Sequence, residues 1–138
     1  MILVDTGPLV ALCNPRDSLH GRAATEFPSL IRREFSICEP VLVETCFHLR
    51  HPIQRRRLQE IIEQFDVHSA DVADVHAFHL DVFQWLAKYA DHEPDWADGC
   101  IAVLCGYHDR LKVWTYDPEF KTTWRRPDGS AIPLAIKL

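Results

Sequence analysis

Five acidic residues occupy positions where a charge contributes little to solubility; they are Asp5, Glu44, Asp95, Asp98 and Asp117. Two of them follow short apolar runs that predict buried strands, and one is the only charge in an apolar stretch. The remaining two open a helical pattern. Strand ends and helix starts can meet at one edge of an α/β sheet. We therefore expect these carboxylates to converge, an expectation that rests on the fold class and not on their spacing.

Converging carboxylates repel one another, and a pair about 4 Å apart costs about 4 kcal/mol at an effective dielectric constant of about 20. Such a cluster must take up protons or a cation. Ligands that are all oxygen suit Mg²⁺ or Mn²⁺, and a hard divalent ion among acids suits hydrolysis of a phosphodiester. Taken singly, each acid also has an ordinary structural role as a turn residue, a helix cap or a solvent-facing charge.

Length and charge limit the remaining possibilities. The chain has 138 residues with 15 Lys+Arg and 20 Asp+Glu, a formal net charge of −5. Residues 1–138 are expected to form a single domain with a real core, and a uniformly basic nucleic-acid binder is excluded.

The five cysteines are an odd number in apolar settings and are expected to be reduced thiols. With no apolar run near the ~20 residues of a membrane helix and no basic leader, we expect a cytoplasmic protein.

Strand-like and helix-like patterns alternate along the chain, which predicts an α/β fold with a short, mainly parallel sheet. Strands are predicted at 2–4, 35–38, 66–68 and 112–115, with a last edge strand at 132–138. Helices are predicted at 9–13, 20–27, 41–50, 58–65 and 95–106, with a long helix capped by Ser69 or Asp71. The apolar stripe predicted on that long helix comprises Val72, Val75, His79, Phe83 and Leu86.

Four ordered blocks of the sequence resemble PIN-domain ribonucleases, most closely the VapC toxin type. The blocks are Ile2–Leu12, Val41–Thr45, Tyr89–Gly99 and Thr115–Phe120. Together they extend over essentially the whole chain. One residue departs from the family pattern, since Gly99 stands where alanine usually follows the aspartate, at a cost of up to about 1 kcal/mol in helix propensity.

The resemblance implies a three-layer α/β/α sandwich around a short parallel sheet, and endonucleolytic cleavage of RNA that depends on Mg²⁺ or Mn²⁺. It implies an acidic quartet that binds the metal and carries catalysis, formed by Asp5, Glu44, Asp98 and Asp117. Asp95 would be an auxiliary acid. The hydroxyl groups of Thr6 and Thr115 would orient the ligands or the water.

The resemblance also bears on partners. Because the net charge is negative, RNA phosphates are expected to contact local arginines; the candidates are Arg50, Arg55, Arg56, Arg57, Arg125 and Arg126. Proteins of this kind commonly dimerise, so a homodimer is expected. An antitoxin protein, a peptide of which lies over the site, is the further expected partner.

Two alternatives retain the PIN fold: a module that binds RNA or protein without turnover, and a stand-alone RNA-processing nuclease instead of a toxin. Two others do not. Asp5-Thr6-Gly7 also spells the triplet of aspartic proteases, but those enzymes are all-β, with strands before the triplet. A phosphatase of the haloacid-dehalogenase type needs a second aspartate two residues after the first, where this chain has Gly7.

Overall fold

The computed structural model describes every residue from Met1 to Leu138. The four strands are β1 (Ile2–Val4), β2 (Phe35–Ile37), β3 (His68–Ser69) and β4 (Lys112–Trp114). The seven α-helices are α1 (Thr6–Cys13), α2 (His20–Leu30), α3 (Glu39–His48), α4 (Pro52–Gln64), α5 (Val75–Lys88), α6 (Trp96–Tyr107) and α7 (Glu119–Thr122). A short 3₁₀ helix spans Ala90–His92.

The strands form one parallel sheet in the order β3-β2-β1-β4. All three residues of the central strand, Ile2, Leu3 and Val4, have no exposed surface. Since successive side chains of a strand point to opposite faces, helices must cover the sheet on both faces. The structure therefore confirms the predicted α/β sandwich with a mainly parallel sheet.

The strand order creates a crevice at the carboxyl edge of the sheet. The chain passes from β1 to β2 on one side, whereas β4 pairs with β1 on the other side. Ligand sites of parallel sheets form where the strand order reverses in this way. The backbone N–H of Asp5 donates to the carbonyl of Trp114 over 2.9 Å, so the residues that follow β1 and β4 are held side by side.

Helix α6 packs very closely on α5. A Cβ atom at Gly99 would lie 2.9 Å from Cγ1 of Val82 and 3.3 Å from side-chain atoms of Trp85 and Leu86. Glycine is therefore required at this position by the approach of the two helices, which explains its departure from the family's usual alanine.

Helix α5 buries a different face from the one that the apolar stripe predicts. Its buried residues are Phe78, Val82 and Trp85, whereas Val75 and Phe83 are exposed by 54% and 60%. Two adjacent faces of this helix are apolar, and the periodicity of the sequence does not reveal which of them meets the core. The prediction was therefore wrong for Val75, His79 and Phe83, which form an exposed apolar face on α5, whereas Leu86 is partly buried against the core.

Several element bounds differ from prediction. Helix α1 begins at Thr6 instead of Leu9, because Asp5 caps it. Helix α4 begins at Pro52 instead of Leu58, since proline is favoured at the first position of a helix. Helix α3 spans Glu39–His48 instead of 41–50, and β3 spans His68–Ser69 instead of 66–68.

Three further features differ as well. Helix α2 continues through Pro28 to Leu30, because a proline in the last turn removes only one backbone hydrogen bond. Asp74, not Ser69 or Asp71, caps α5 by accepting the N–H of Ala77. The tail makes a single parallel bridge between Val113 and Leu134 instead of an edge strand.

The five cysteines are all free thiols, four of them buried, as their odd number and apolar settings predict. No helix of this chain combines the length and the hydropathy that a membrane span requires.

Candidate functional site

The acids singled out from the sequence lie within electrostatic reach of one another at the carboxyl edge of the sheet. The pKa of Asp5 is raised in part by Glu44 and Asp117. The pKa of Asp98 is raised in part by Asp95, Asp5 and Asp117. Four separate parts of the fold thus place their carboxylates near one another: the ends of β1 and β4 and the helices α3 and α6.

Asp5 is held at the end of β1 by its neighbours. Its Oδ1 accepts the backbone N–H of Thr6 over 2.8 Å, and so caps α1. Its Oδ2 accepts the hydroxyl of Thr115 over 2.7 Å. Burial raises the pKa of Asp5 to about 6, the two hydrogen bonds oppose that rise, and Glu44 and Asp117 add to it. The carboxylate is therefore fixed in orientation but costly to ionise.

Glu44 lies on α3 and is half-buried. Its Oε2 accepts the hydroxyl of Thr6 over 2.8 Å, which joins α3 to the start of α1. Burial raises the pKa of Glu44, the hydrogen bond from Thr6 lowers it, and Asp95 raises it further. Thr6 therefore orients one acid through its hydroxyl group and a second acid through its backbone.

Asp95 and Asp98 form a reciprocal cap at the start of α6. The N–H of Asp98 donates to Oδ1 of Asp95 over 2.9 Å, and the N–H of Asp95 donates to Oδ2 of Asp98 over 3.1 Å. Burial and the Asp95 carboxylate raise the pKa of Asp98 to about 8. The helix start thus stabilises the backbone while it holds two acids close together.

Thr115 connects the acids at the ends of β1 and β4. It is fully buried. Its hydroxyl donates to Asp5 and accepts the N–H of Asp117 over 3.0 Å. Asp117 in turn accepts the N–H of Glu119 over 2.9 Å through Oδ1. A single buried hydroxyl group therefore sets the positions of two of the four predicted metal ligands.

No basic side chain forms an ion pair with these acids. The ion pairs of the chain are Arg22 with Glu26 and His68 with Asp66, and both lie outside the acidic cluster. No three acidic, histidine or cysteine side chains are close enough together to meet the geometry of a bound metal ion. The chemistry of the donor set nevertheless fits Mg²⁺ or Mn²⁺, because every donor is a carboxylate or hydroxyl oxygen and no ion pair neutralises the carboxylates.

Three of the six candidate arginines lie at the end of α3 and on α4. Arg50 follows α3, and its guanidinium carbon lies 5.0 Å from the ring centre of Phe47. The α4 residues Arg55 and Arg57 donate to backbone carbonyls, those of Leu49 and Cys46 for Arg55 and that of Cys13 for Arg57.

The other three candidates differ in their surroundings. Arg56 is exposed on α4. Arg125 donates to the carbonyls of Lys121 and Trp124, and Arg126 donates to the hydroxyl of Ser130. Arg126 lines a cavity beside Tyr107 at the end of α6, and Asp98 lies in the first turn of that helix. The six candidates are therefore not gathered at the acidic edge.

His48 is a residue of the site that the sequence did not single out. It lies one turn after Glu44 on α3, and its charge is among the influences that lower the pKa of Glu44. The spacing of four residues on one helix is the signal that would have found it.

A parallel sheet with acids gathered at its carboxyl edge defines an α/β protein of PIN architecture, and comparison with known families agrees. The family model for the PIN domain matches residues 2–124. The chain therefore belongs to the PIN-domain family.

Among solved structures, the chain is similar to VapC20 of Mycobacterium tuberculosis, described as a toxin that cleaves the sarcin-ricin loop. The TM-score is 0.69, the sequence identity is 20%, and the match covers 88% of this chain and 94% of that one. At this identity the likeness shows the fold. No curated protein matches the sequence.

Proposed function

We propose that the chain is a metal-dependent endoribonuclease that hydrolyses RNA phosphodiester bonds, and that it is the toxin of a VapBC-type toxin–antitoxin pair. The observation that carries the proposal is the cluster of five acids, without a basic partner, at the carboxyl edge of a PIN-family sheet. The likeness to an RNA-cleaving toxin over nearly the full length of both chains supports the choice of RNA.

In this proposal Asp5, Glu44, Asp98 and Asp117 hold Mg²⁺ or Mn²⁺. When bound, such an ion lowers the pKa of a coordinated water and polarises the scissile phosphate. Asp95 fixes the backbone of Asp98 through their reciprocal cap. It also adds negative charge to the cluster, which strengthens the attraction for a divalent cation.

Thr6 and Thr115 orient two of the carboxylates that would bind the metal ion. The hydroxyl of Thr6 donates to Glu44, and that of Thr115 donates to Asp5. Each hydroxyl occupies one lone pair of its carboxylate, and lone pairs remain on both carboxylates for a cation. Hydrogen bonds of this kind fix the direction of metal ligands, and their loss weakens metal binding or activity by about 10–100-fold.

The arginines contact phosphates of the bound RNA. Arg50 and Arg56 are the most available, because Arg50 follows the helix of Glu44 and Arg56 is exposed. Arg55 and Arg57 already donate to backbone carbonyls and would contact RNA through their remaining N–H groups. Arg125 and Arg126 would contact nucleotides further from the scissile bond.

We place a homodimer contact on an apolar surface formed by Val43 of α3, Val75 and His79 of α5, and the half-buried Trp96 at the start of α6. These residues line a groove of about 530 Å³, and Val43 and Val75 are exposed by 61% and 54%. Contiguous apolar surface of this kind marks protein interfaces.

Sedimentation of two matched α5 variants tests the dimer. Val75→Asp places a charge in the groove and should yield a monomer. Leu80→Asp is the control, since Leu80 is exposed by 57% on the same helix but does not line the groove. Dimers in both variants would contradict this placement.

The function is tested by cleavage of pooled cellular RNA with Mg²⁺ or Mn²⁺, with sequencing of the cut ends. We expect cleavage that EDTA abolishes and that Asp98→Asn reduces by at least about a hundredfold, since a metal ligand is lost. Asp109→Asn is the matched control, because Asp109 is an exposed aspartate just beyond the other end of α6. It should cleave like the wild type.

The outcomes separate the alternatives. A folded protein that binds RNA without cutting it would be the non-catalytic PIN module. Cleavage by a chain whose gene has no small antitoxin reading frame beside it would favour a stand-alone RNA-processing nuclease. Full activity of Asp98→Asn would overturn the assignment of the site.

A further inference from the structure

Tyr116 lies between two residues of the acidic site and points to a different part of the fold. Its chain neighbours are Thr115, which donates to Asp5, and Asp117, whose N–H bonds back to Thr115. Cβ and Cδ2 of Tyr116 are each 3.8 Å from the position of a Cβ at Gly7. The ring therefore packs against the first turn of α1, next to Thr6 and Asp5.

The phenol of Tyr116 is tied to α2. Its hydroxyl donates to Oε1 of Glu26 over 2.6 Å. The same carboxylate oxygen pairs with Nε of Arg22 at 3.3 Å. The guanidinium carbon of Arg22 lies 4.6 Å from the centre of the Tyr116 ring, within the range of a cation–π contact. Arg22 and Glu26 thus hold both the face and the hydroxyl of the ring.

The contacts of Tyr116 with Arg22 and Glu26 extend to the end of the chain, because Nη2 of Arg22 donates to the carbonyl of Lys137 over 2.8 Å. Three segments that are distant in sequence, namely α2, the residues after β4 and the C-terminal tail, therefore meet at one aromatic ring. The backbone on either side of that ring carries Thr115 and Asp117. A shift of the ring would move the hydroxyl that orients Asp5 and the carboxylate of Asp117 together.

We propose that Tyr116 is a positioning residue that, held by Glu26 and Arg22, sets the orientation of Asp117 and Thr115 for metal binding. The proposal rests on the metal-dependent function proposed above. A phenylalanine would pack equally well against Gly7 and Arg22. The hydroxyl is therefore the part of the side chain that fixes the ring relative to α2.

Binding of Mn²⁺ to purified protein, measured by calorimetry without RNA, tests the proposal. Tyr116→Phe should bind Mn²⁺ about fivefold to tenfold more weakly, because a hydrogen bond to a charged group that supports the ligands is lost. In RNA cleavage kcat should fall, with KM nearly unchanged, since the phosphate contacts stay in place.

Tyr107→Phe is a matched control. The hydroxyl of Tyr107 donates to Asp81, so this variant also loses a phenol–carboxylate bond between helices. Tyr107 lies nine residues after Asp98 on α6, about 13 Å along the helix axis. Both variants should lose similar thermal stability, while only Tyr116→Phe should lose affinity for Mn²⁺.

The conservative change Glu26→Gln provides a rescue test. It keeps an oxygen that accepts the Tyr116 hydroxyl and should retain affinity for Mn²⁺ within about twofold, whereas Glu26→Ala should weaken binding at least as much as Tyr116→Phe, since it also removes the partner of Arg22. The combination of Tyr116→Phe with Glu26→Ala should be no worse than Glu26→Ala alone, because that change already removes the bond from the Tyr116 hydroxyl.

Two results would overturn the assignment of Tyr116 alone: equal Mn²⁺ affinity in Tyr116→Phe and the wild type, or an equal loss in Tyr107→Phe. A wild-type protein that binds no Mn²⁺ would overturn the proposed metal-dependent function, and this inference with it. The wild-type measurement thus separates failure of the function from failure of the positioning role.

Discussion

Helix α6 carries acids in its first turn and only neutral residues from there to its end. In the first turn, Asp95 and Asp98 face each other without a basic partner, and burial and Asp95 raise the pKa of Asp98 to about 8. From Gly99 to Cys105 every residue is buried. The same helix therefore joins a region where ionisation is costly to a region where apolar packing is dense.

The difference shows how the fold holds an unfavourable cluster in place. Repulsion among converging carboxylates lowers the stability of the native state. Apolar contacts offset this repulsion. Gly99 of α6 packs against Val82 of α5, and the ring centres of Trp85 and Trp124 are 5.4 Å apart. Functional sites commonly reduce stability in this way, and the surrounding core compensates.

Gly99→Ala tests the apolar half of this comparison and should have the larger effect on stability. The new methyl group would lie 2.9 Å from Val82, whose β-branched side chain has little freedom to move. We expect the free energy of unfolding to fall by about 1–2 kcal/mol, since overpacking outweighs the better helix propensity of alanine. Urea denaturation measures the change.

Val82→Ala is the partner change that identifies the cause. In the Gly99→Ala background it should cost much less than in the wild type, so a double-mutant cycle should show coupling of about 1 kcal/mol. The control is Gly21→Ala on α2, where an added Cβ would meet nothing within 4 Å. That change should leave stability unchanged or raise it, and an equal loss at both glycines would contradict the packing argument.

The elements that the sequence predicts well are those with a local cause. The apolar run Ile2–Val4 has to be a buried strand, and Asp95 has to be the cap of a helix, because both signals lie within a few residues. The prediction failed for the face of α5 that carries Val75, which is exposed while Val82 is buried. Which of the two residues is buried depends on the packing of α6, and the sequence of α5 alone does not contain that information.

The candidate site divides in the same way. Asp5 and Asp117 were singled out because they follow strands, and strand ends share an edge of the sheet. The link from Tyr116 to Glu26 joins residues 90 positions apart, and no spacing rule connects them. His48 is intermediate, since its distance of one turn from Glu44 is visible in the sequence but its influence depends on where Glu44 points.

The acidic half of the comparison predicts a smaller effect, a fall in stability with rising pH in metal-free buffer. The pKa values of Asp5 and Asp98 are raised from 3.8 to about 6 and about 8 in the folded protein. The folded state therefore keeps protons that the unfolded chain has already released, and stability falls as pH rises through this window. Between pH 5 and pH 8 we expect a loss of about 1 kcal/mol in EDTA, after solvent screening of Asp98.

Asp98→Asn isolates this effect from the histidines, which titrate in both proteins. The variant should lose less stability between pH 5 and pH 8 than the wild type, because asparagine is neutral throughout and can still accept the N–H of Asp95. Added Mg²⁺ should oppose the loss in the wild type by binding the ionised carboxylates, with about 1.4 kcal/mol of stabilisation at ten times its Kd. The melting temperature should therefore rise with Mg²⁺ more at pH 8 than at pH 6. If several millimolar Mg²⁺ left the melting temperature of the wild type unchanged at both pH values, the acids of α6 would lower stability without binding a cation that restores it.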